Sequence, residues 1–101
     1  MKTLDAWLAD SLDHGRALGR SPVHLRVTRF QALVFLRWLR DAHQVTTADR
    51  LRREHLDAWM KHLAARRTTK GLPLKPASVN KQIETVRGFL HWLAVRGVVP
   101  A

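Results

Sequence analysis

The 101-residue sequence predicts an all-α fold, a single domain built as a four-helix bundle. Apolar residues recur at the helical spacing of three and four in four segments, and no segment shows the apolar–polar alternation of a strand. An apolar content of 46%, with four tryptophans and three phenylalanines, is enough to form a hydrophobic core. We therefore expect helices over residues 3–14, 22–41, 52–66 and 76–96.

Local signals mark where the first two helices begin and end. Thr3 is a candidate N-cap, and Gly15 and Gly19 are expected to end the first helix. Ser21 followed by Pro22 predicts the start of the second helix, because serine caps free amides and proline at the first helical position loses no hydrogen bond. The apolar stripe of the first helix consists of Leu4, Trp7, Leu8 and Leu12.

A polar turn at residues 43–50 precedes the third helix, and a loop at 67–75 that contains glycine and proline precedes the fourth. Pro76 can occupy a first helical position, Gly97 is a candidate C-terminal cap, and Pro100 prevents continuation. The apolar stripe of the third helix is Leu56, Trp59, Met60, Leu63 and Ala64. That of the fourth is Val79, Ile83, Val86, Leu90 and Leu93.

The second helix is apolar on two opposite faces. At 100° per residue, we expect its core-facing side to consist of Leu25, Ala32, Phe35, Leu36 and Leu39. The opposite side carries Val23, Val27, Phe30 and Val34, with Trp38 nearby. Such a helix either lies at the centre of its bundle or presents one face to a partner.

Positive charge is the strongest compositional feature. The net charge is +10, from 18 Lys and Arg against 8 Asp and Glu, and most of the cations are arginine. Because arginine pairs well with phosphate and guanine, this excess predicts a nucleic-acid partner. On the second helix an arginine ridge covers about 80° of arc; a solvated charged face is the alternative. Its members are Arg26, Arg29, Arg37 and Arg40.

The fourth helix carries small or hydroxyl side chains around one lysine on the face opposite its apolar stripe. These residues are Ala77, Ser78, Lys81, Thr85 and Gly88. Small side chains let another surface approach the backbone, and the first helical turn adds free amides suited to a phosphate. Lys75 adds a charge just before this turn. An ordinary polar helix face is the alternative.

Five runs in this order resemble a known family. They are Ser21–His24, Arg37–Leu39, Leu74–Asn80, Val86–Leu93 and Arg96–Pro100. Together they are similar to the N-terminal SAM-like core-binding domain of tyrosine recombinases, the phage integrase and Xer-type family. The resemblance covers the chain from about Leu4 to Pro100.

The resemblance implies a role in DNA recombination or integration. In that family the core-binding domain and a catalytic domain clamp duplex DNA, with the second and fourth helices against the major groove. The carried-over contacts are His24, Arg26 and Val27 on the second helix, and Ala77, Ser78, Lys81 and Thr85 on the fourth. Arg29, Arg37 and Lys75 are further candidates from the charge pattern. Other recombinase protomers would be partners of the full-length protein, whereas we expect the isolated domain to be monomeric.

The sequence does not predict catalysis by this chain. The family's nucleophile is tyrosine, and the chain has no tyrosine and no His-x-x-Arg at any of its six histidines. The absence of cysteine excludes thiolate zinc sites and thiol nucleophiles, and no metal or cofactor motif is present. We therefore expect a non-enzymatic domain, a fragment of a longer recombinase. A free-standing DNA-binding protein and a helical protein-interaction module remain as alternatives.

The predicted location follows from the lack of a membrane-spanning segment and of a secretory signal in the sequence. The longest apolar run, residues 32–36, is too short to span a bilayer. Asp5 and Asp10 interrupt the N-terminal segment, which does not resemble a secretory signal. We expect a cytoplasmic protein of a prokaryotic cell, associated with the nucleoid when bound to DNA, with no membrane partner.

Overall fold

A computed structural model describes residues 2–99, which form four α-helices and no strand. A single 3-10 turn, Ala48–Arg50, lies between the second and third helices. The predicted all-α four-helix bundle is confirmed. Within the described range no helix combines the length and the apolar character needed to cross a membrane. The helices are α1 (Leu4–Ala17), α2 (Pro22–His43), α3 (Arg53–Ala65) and α4 (Pro76–Val95).

The predicted caps of α1 and α2 are present. The hydroxyl oxygen of Thr3 accepts a hydrogen bond from the Ala6 amide at 3.2 Å. The hydroxyl oxygen of Ser21 accepts from the His24 amide at 3.1 Å, and Pro22 is the first residue of α2. Each cap satisfies an amide that has no partner inside its helix. Pro100, predicted to block continuation of α4, lies outside the described residues.

The prediction that Gly15 ends the first helix is wrong. Gly15 is buried inside α1, which continues to Ala17. A Cβ atom at Gly15 would lie 3.0 Å from Leu25 Cδ2 and 3.3 Å from Arg20 Cδ. The missing side chain therefore allows α1 to approach α2 closely, and the chain turns only at Gly19, whose φ of +83° favours glycine.

The boundaries of the other three helices also differ slightly from the predictions. α2 runs two residues further and ends before Gln44, which adopts a left-handed conformation with φ of 54°. α3 is one residue shorter at each end, and α4 ends at Val95, followed by a turn in which Gly97 has φ of +71°. The turn at residues 43–50 is partly internal, because Val45 and Ala48 are buried.

The core is built from all four helices and the connection between α2 and α3. All five residues predicted for the inner face of α2 are buried, which confirms that assignment. On α4, Val86 and Leu93 are buried as expected, whereas Val79, Ile83 and Leu90 are only half-buried. Phe89, which the predicted stripe omitted, is buried as well.

An aromatic cluster packs the second half of α2 against α3. The fully buried Trp59 ring lies 5.4 Å from the rings of Phe35 and Trp38, measured between centroids. The His62 ring stacks on Trp59 at 5.4 Å, and His43 lies 4.7 Å from Trp38. This cluster covers the outward side of α2 around Trp38 and joins α3 to α2.

Candidate nucleic-acid interface

The circumference of α2 is divided into four sectors, which organise the candidate interface. One sector faces the core, and the arginine ridge begins next to it on the side of α1. The side facing α4 is polar and contains His24, Thr28 and Gln31. Between the ridge and this polar side lies an apolar sector that is exposed in the first half of the helix. We call its exposed members the open stripe: Val23, Val27 and Phe30.

A groove of about 690 Å³ opens where α1, α2 and α4 meet. It brings together three of the predicted site residues, namely His24 from α2 with Lys81 and Thr85 from α4. Further cationic or titratable side chains surround it, and Glu84 is its one carboxylate. These additional residues are Arg20, Arg96, His14 and His91.

Thr85 is not freely exposed, contrary to the prediction for its helix face. It is half-buried, and its hydroxyl donates a hydrogen bond to the Gln31 Oε1 atom at 2.6 Å. The bond joins α4 to α2 and uses the only proton of the hydroxyl. Phosphate oxygens accept hydrogen bonds, so Thr85 has no donor left for them. Its place in the fold is that of a link between the two helices.

The other predicted residues of α4 are exposed. Ala77 and Ser78 lie in the first turn, and Lys75 occupies the N-cap position without a side-chain hydrogen bond to the helix. The first amides of α4 therefore have no side-chain cap. Gly88 lies at the groove, and a Cβ atom there would meet nothing within 4 Å. At Gly88, therefore, no neighbouring atom restricts the approach of another surface to the backbone.

The arginine ridge lies on the opposite flank of α2, next to α1. Arg29, Arg37 and Arg40 line a cavity of about 310 Å³ together with Asp5 of α1. A second cavity of about 310 Å³ is lined by Arg26 and Arg29 with Arg16 and Arg20. Arg40 forms an ion pair with Asp41 at 3.1 Å.

Most cations of this surface have no carboxylate partner. The ion pairs found within residues 2–99 are Lys2–Asp10, Arg16–Asp13 and Arg40–Asp41. The remaining ridge members, Arg26, Arg29 and Arg37, form no ion pair within residues 2–99, and neither does Lys81 in the groove. Asp5 lines the cavity of Arg29 and Arg37, and Glu84 lines the groove, but neither is within ion-pair distance of these cations. Unpaired, solvated guanidinium groups are available to an anionic partner.

The predicted α2 residues thus fall on two flanks of the helix and on the stripe between them. His24 faces the groove, whereas the ridge arginines face the α1 side, and Val27 lies in the open stripe between them. A partner that contacts all of them must cover the outward face of α2. The helical period predicted these angular positions but could not say on which side α4 would pack.

Arg20 and Arg96 were missed as groove residues. Arg96 follows α4, and its guanidinium lies 4.0 Å from the centroid of the Trp92 ring. Trp92 also contacts the rings of Trp7 and His14, each at 6.3 Å between centroids. Its indole nitrogen has no hydrogen-bond partner among residues 2–99. Both arginines lie in connections outside the helices, where helical periodicity gives no information.

The remaining histidines do not form a metal centre in the described part of the chain, where no group of three or more His, Cys, Asp or Glu side chains is suitably placed. His55 and His62 lie instead in the aromatic cluster on α3. Burial lowers the pKa of both below its ordinary value, and the charges of His43 and Arg52 lower that of His55 further. These two groups therefore favour the neutral form in the folded protein.

Comparison of the chain with models of known protein families, with curated proteins and with solved structures found no match. What the surface binds must therefore be inferred from its own charge and shape. Those features are an open groove between α2 and α4, a row of arginines on the opposite flank of α2 and the open stripe between the two. Three of the four arginines form no ion pair within residues 2–99.

Proposed function

We propose that this chain binds duplex DNA, as the core-binding domain of a tyrosine-type site-specific recombinase or integrase, through α2 and α4. One observation carries the proposal. From residue 22 to residue 40, α2 contains four arginines and no acidic residue, and three of the arginines lack an ion pair within residues 2–99. Each phosphate that such a cation neutralises releases condensed counterions, which favours binding to a polyanion.

The groove strengthens the case for a nucleic acid. Lys81, Arg20 and Arg96 surround it, with Glu84 as the only opposing carboxylate. Cations on both flanks of one exposed helix suit a ligand that carries phosphates on two sides, as a duplex does. The resemblance of the sequence to tyrosine recombinases gives this binding a biological setting, in which a separate catalytic domain would supply the tyrosine.

A free-standing DNA-binding protein would use the same surface. The two cases differ in the gene downstream of residue 101. An arginine, a His-x-x-Arg and a late tyrosine in the following couple of hundred codons support the recombinase assignment. A stop codon directly after residue 101 in the native gene overturns that assignment and leaves DNA binding in place.

DNA binding is tested by fluorescence anisotropy with a labelled duplex over a range of salt concentrations. If about five phosphates are neutralised, the logarithm of the association constant should fall against the logarithm of salt concentration with a slope near −4 to −5. We expect weak binding with limited sequence preference, because the isolated domain forms only half of the clamp. Absence of binding at low ionic strength, or tight binding that salt does not change, refutes the proposal.

A matched pair of lysine variants locates the interface. Lys81→Ala removes a cation from the groove, whereas Lys61→Ala removes an exposed lysine from α3 on another part of the surface. We expect Lys81→Ala to weaken binding and to reduce the salt slope by about one unit. Lys61→Ala should leave both unchanged. Equal effects of the two variants would indicate a diffuse attraction without a defined interface.

A further inference from the structure

The open stripe is a feature of the candidate interface that charge alone does not explain. Val23, Val27 and Phe30 are 64%, 44% and 66% exposed, although each is apolar. They follow one another at spacings of four and three residues and so lie along one line of α2. Over seven residues the line measures about 10 Å, which corresponds to about three base-pair steps of B-DNA.

The surroundings of the open stripe indicate what could cover it. On one flank lie Arg26 and Arg29 of the ridge, and on the other lie His24 and the groove that holds Lys81. No acidic residue occurs on α2 before Asp41. An apolar protein partner would bury the stripe but would leave both rows of cations without counter-charges. A ligand with two anionic edges and an apolar centre matches all three rows.

The major groove of A·T-rich DNA offers both features. Phosphates border it on both sides, and its floor presents, among polar base edges, the C5-methyl group of every thymine. Its width of about 12 Å accommodates a helix whose diameter with side chains is about 10–12 Å. Valine and phenylalanine offer no hydrogen bonds to base edges, so the groups they can recognise there are methyls.

We propose that the open stripe contacts thymine methyl groups in the major groove and gives the domain a preference for A·T pairs over about three steps. The proposal rests on the proposed DNA binding and adds the specificity-determining residues. Val27 and Phe30 are the central contacts, and Val23 lies at the end of the stripe nearest the start of α2. The flanking arginines and Lys81 would hold the two phosphate backbones.

The test compares two short duplexes of identical sequence that consist only of A·T pairs, one with thymine and one with uracil in its place. The substitution removes only the C5-methyl groups. We expect the wild-type domain to bind the uracil duplex more weakly, by roughly four-fold for each methyl that the stripe buries. Phe30→Ala and Val27→Ala should lower affinity for the thymine duplex and abolish the difference between the two duplexes.

Leu72→Ala is the matched control, because Leu72 is also exposed, at 60%, but lies in the loop before α4. This variant should keep the full preference for thymine. A second pair of duplexes, made only of G·C pairs with cytosine or 5-methylcytosine, should show the same gain from the methyl group. Circular dichroism of each variant verifies that the helices remain intact.

Each outcome decides between the two proposals. Salt-dependent binding with equal affinity for thymine and uracil duplexes overturns the methyl contact and leaves DNA binding intact. Equal weakening on both duplexes by Phe30→Ala also overturns it, because the stripe would then act without reading methyls. A change in sedimentation behaviour on Phe30→Ala, without any thymine preference, would assign the stripe to protein association. Absence of DNA binding refutes both proposals.

Discussion

The outward face of α2 is apolar along its whole length, but its two halves differ in burial. In the second half, Trp38 packs against Trp59 and His62 of α3, and Val34 is partly buried against the core. In the first half, Val27 and Phe30 remain exposed to solvent. The sequence pattern is the same in both halves, so the difference arises from where α3 packs.

This difference shows how an apolar face can serve two purposes within one helix. Where α3 covers the face, the apolar residues stabilise the bundle through burial. Where nothing covers it, the same residue types lie between rows of cations and contribute little to stability. We therefore expect substitutions in the second half to change stability, and substitutions in the first half to change binding.

The largest expected effect is the difference in lost stability between a substitution in the second half of α2 and one in the first half. Trp38→Ala removes ring contacts with Phe35, Trp59 and His62. It should lower the free energy of unfolding by about 2–3 kcal/mol. This loss is smaller than that expected for replacing a fully buried tryptophan, because Trp38 is partly exposed. Phe30→Ala should change the free energy of unfolding by less than about 0.5 kcal/mol. Urea denaturation followed by circular dichroism measures both. Comparable losses for the two variants would mean that the open stripe belongs to the core.

A medium effect is expected from the two glycines inside helices. Gly88→Ala should stabilise the protein by about 0.8–1 kcal/mol, because the added Cβ meets nothing and alanine is the better helix former. Gly15→Ala gains the same propensity but places its Cβ 3.0 Å from Leu25 Cδ2, so it should gain less or lose stability. Thermal unfolding of the two variants provides the comparison. A larger gain at Gly15 than at Gly88 would contradict the close packing of α1 on α2.

The smallest expected effect is the pH dependence of stability. It involves His55 and His62, which lie in the aromatic cluster against the second half of α2. The folded pKa values of His55 and His62 are lowered, chiefly by burial, so the unfolded chain binds protons first as pH falls. Their contribution to stability is therefore complete above the unfolded pKa of about 6.5 and decreases as pH falls below it. His55 Nδ1 also accepts a hydrogen bond from the Arg52 amide at 2.9 Å, which protonation would break.

Urea midpoints measured on both sides of the histidine pKa should reveal this decrease. His55→Gln should reduce it, because glutamine at the third helical position can accept the same amide hydrogen bond without titrating. His91→Gln, at an exposed histidine of α4, is the matched control and should preserve the pH dependence. A wild-type midpoint that rises on acidification would contradict the lowered pKa values.

Most of the fold could be predicted from the sequence because its signals are local. Caps at Thr3 and Ser21, Pro22 at the first position of α2 and the helical period of the core residues all act within a few positions. Gly15 was misassigned because its role depends on Leu25 of another helix, which no local pattern contains. A turn was predicted at residues 43–50, but the left-handed conformation of Gln44 within it was not, since glutamine is not a common residue in that conformation.

The candidate interface was less predictable than the fold. The helical period gave the angular positions of the ridge and of the apolar face, but not which flank α4 would occupy. The sequence therefore did not show that His24, a contact implied by the resemblance, and Arg29, a candidate from the charge pattern, lie on opposite flanks of α2. Thr85 was assigned to an exposed face because its bond to Gln31, 54 positions away, is a tertiary contact.

The start of α1 is hydrogen-bonded to the connection between α2 and α3. The Leu4 amide donates to the Thr46 carbonyl at 2.8 Å, and Thr3 and Thr47 form an isolated antiparallel bridge. Because these partners are 42 and 44 positions apart in the chain, closing this contact costs more chain entropy than forming a helical turn. We expect it to form late in folding, after α1 and α2 have paired. This late step of folding would then fix the conformation of the connection between α2 and α3, and with it the direction of α3.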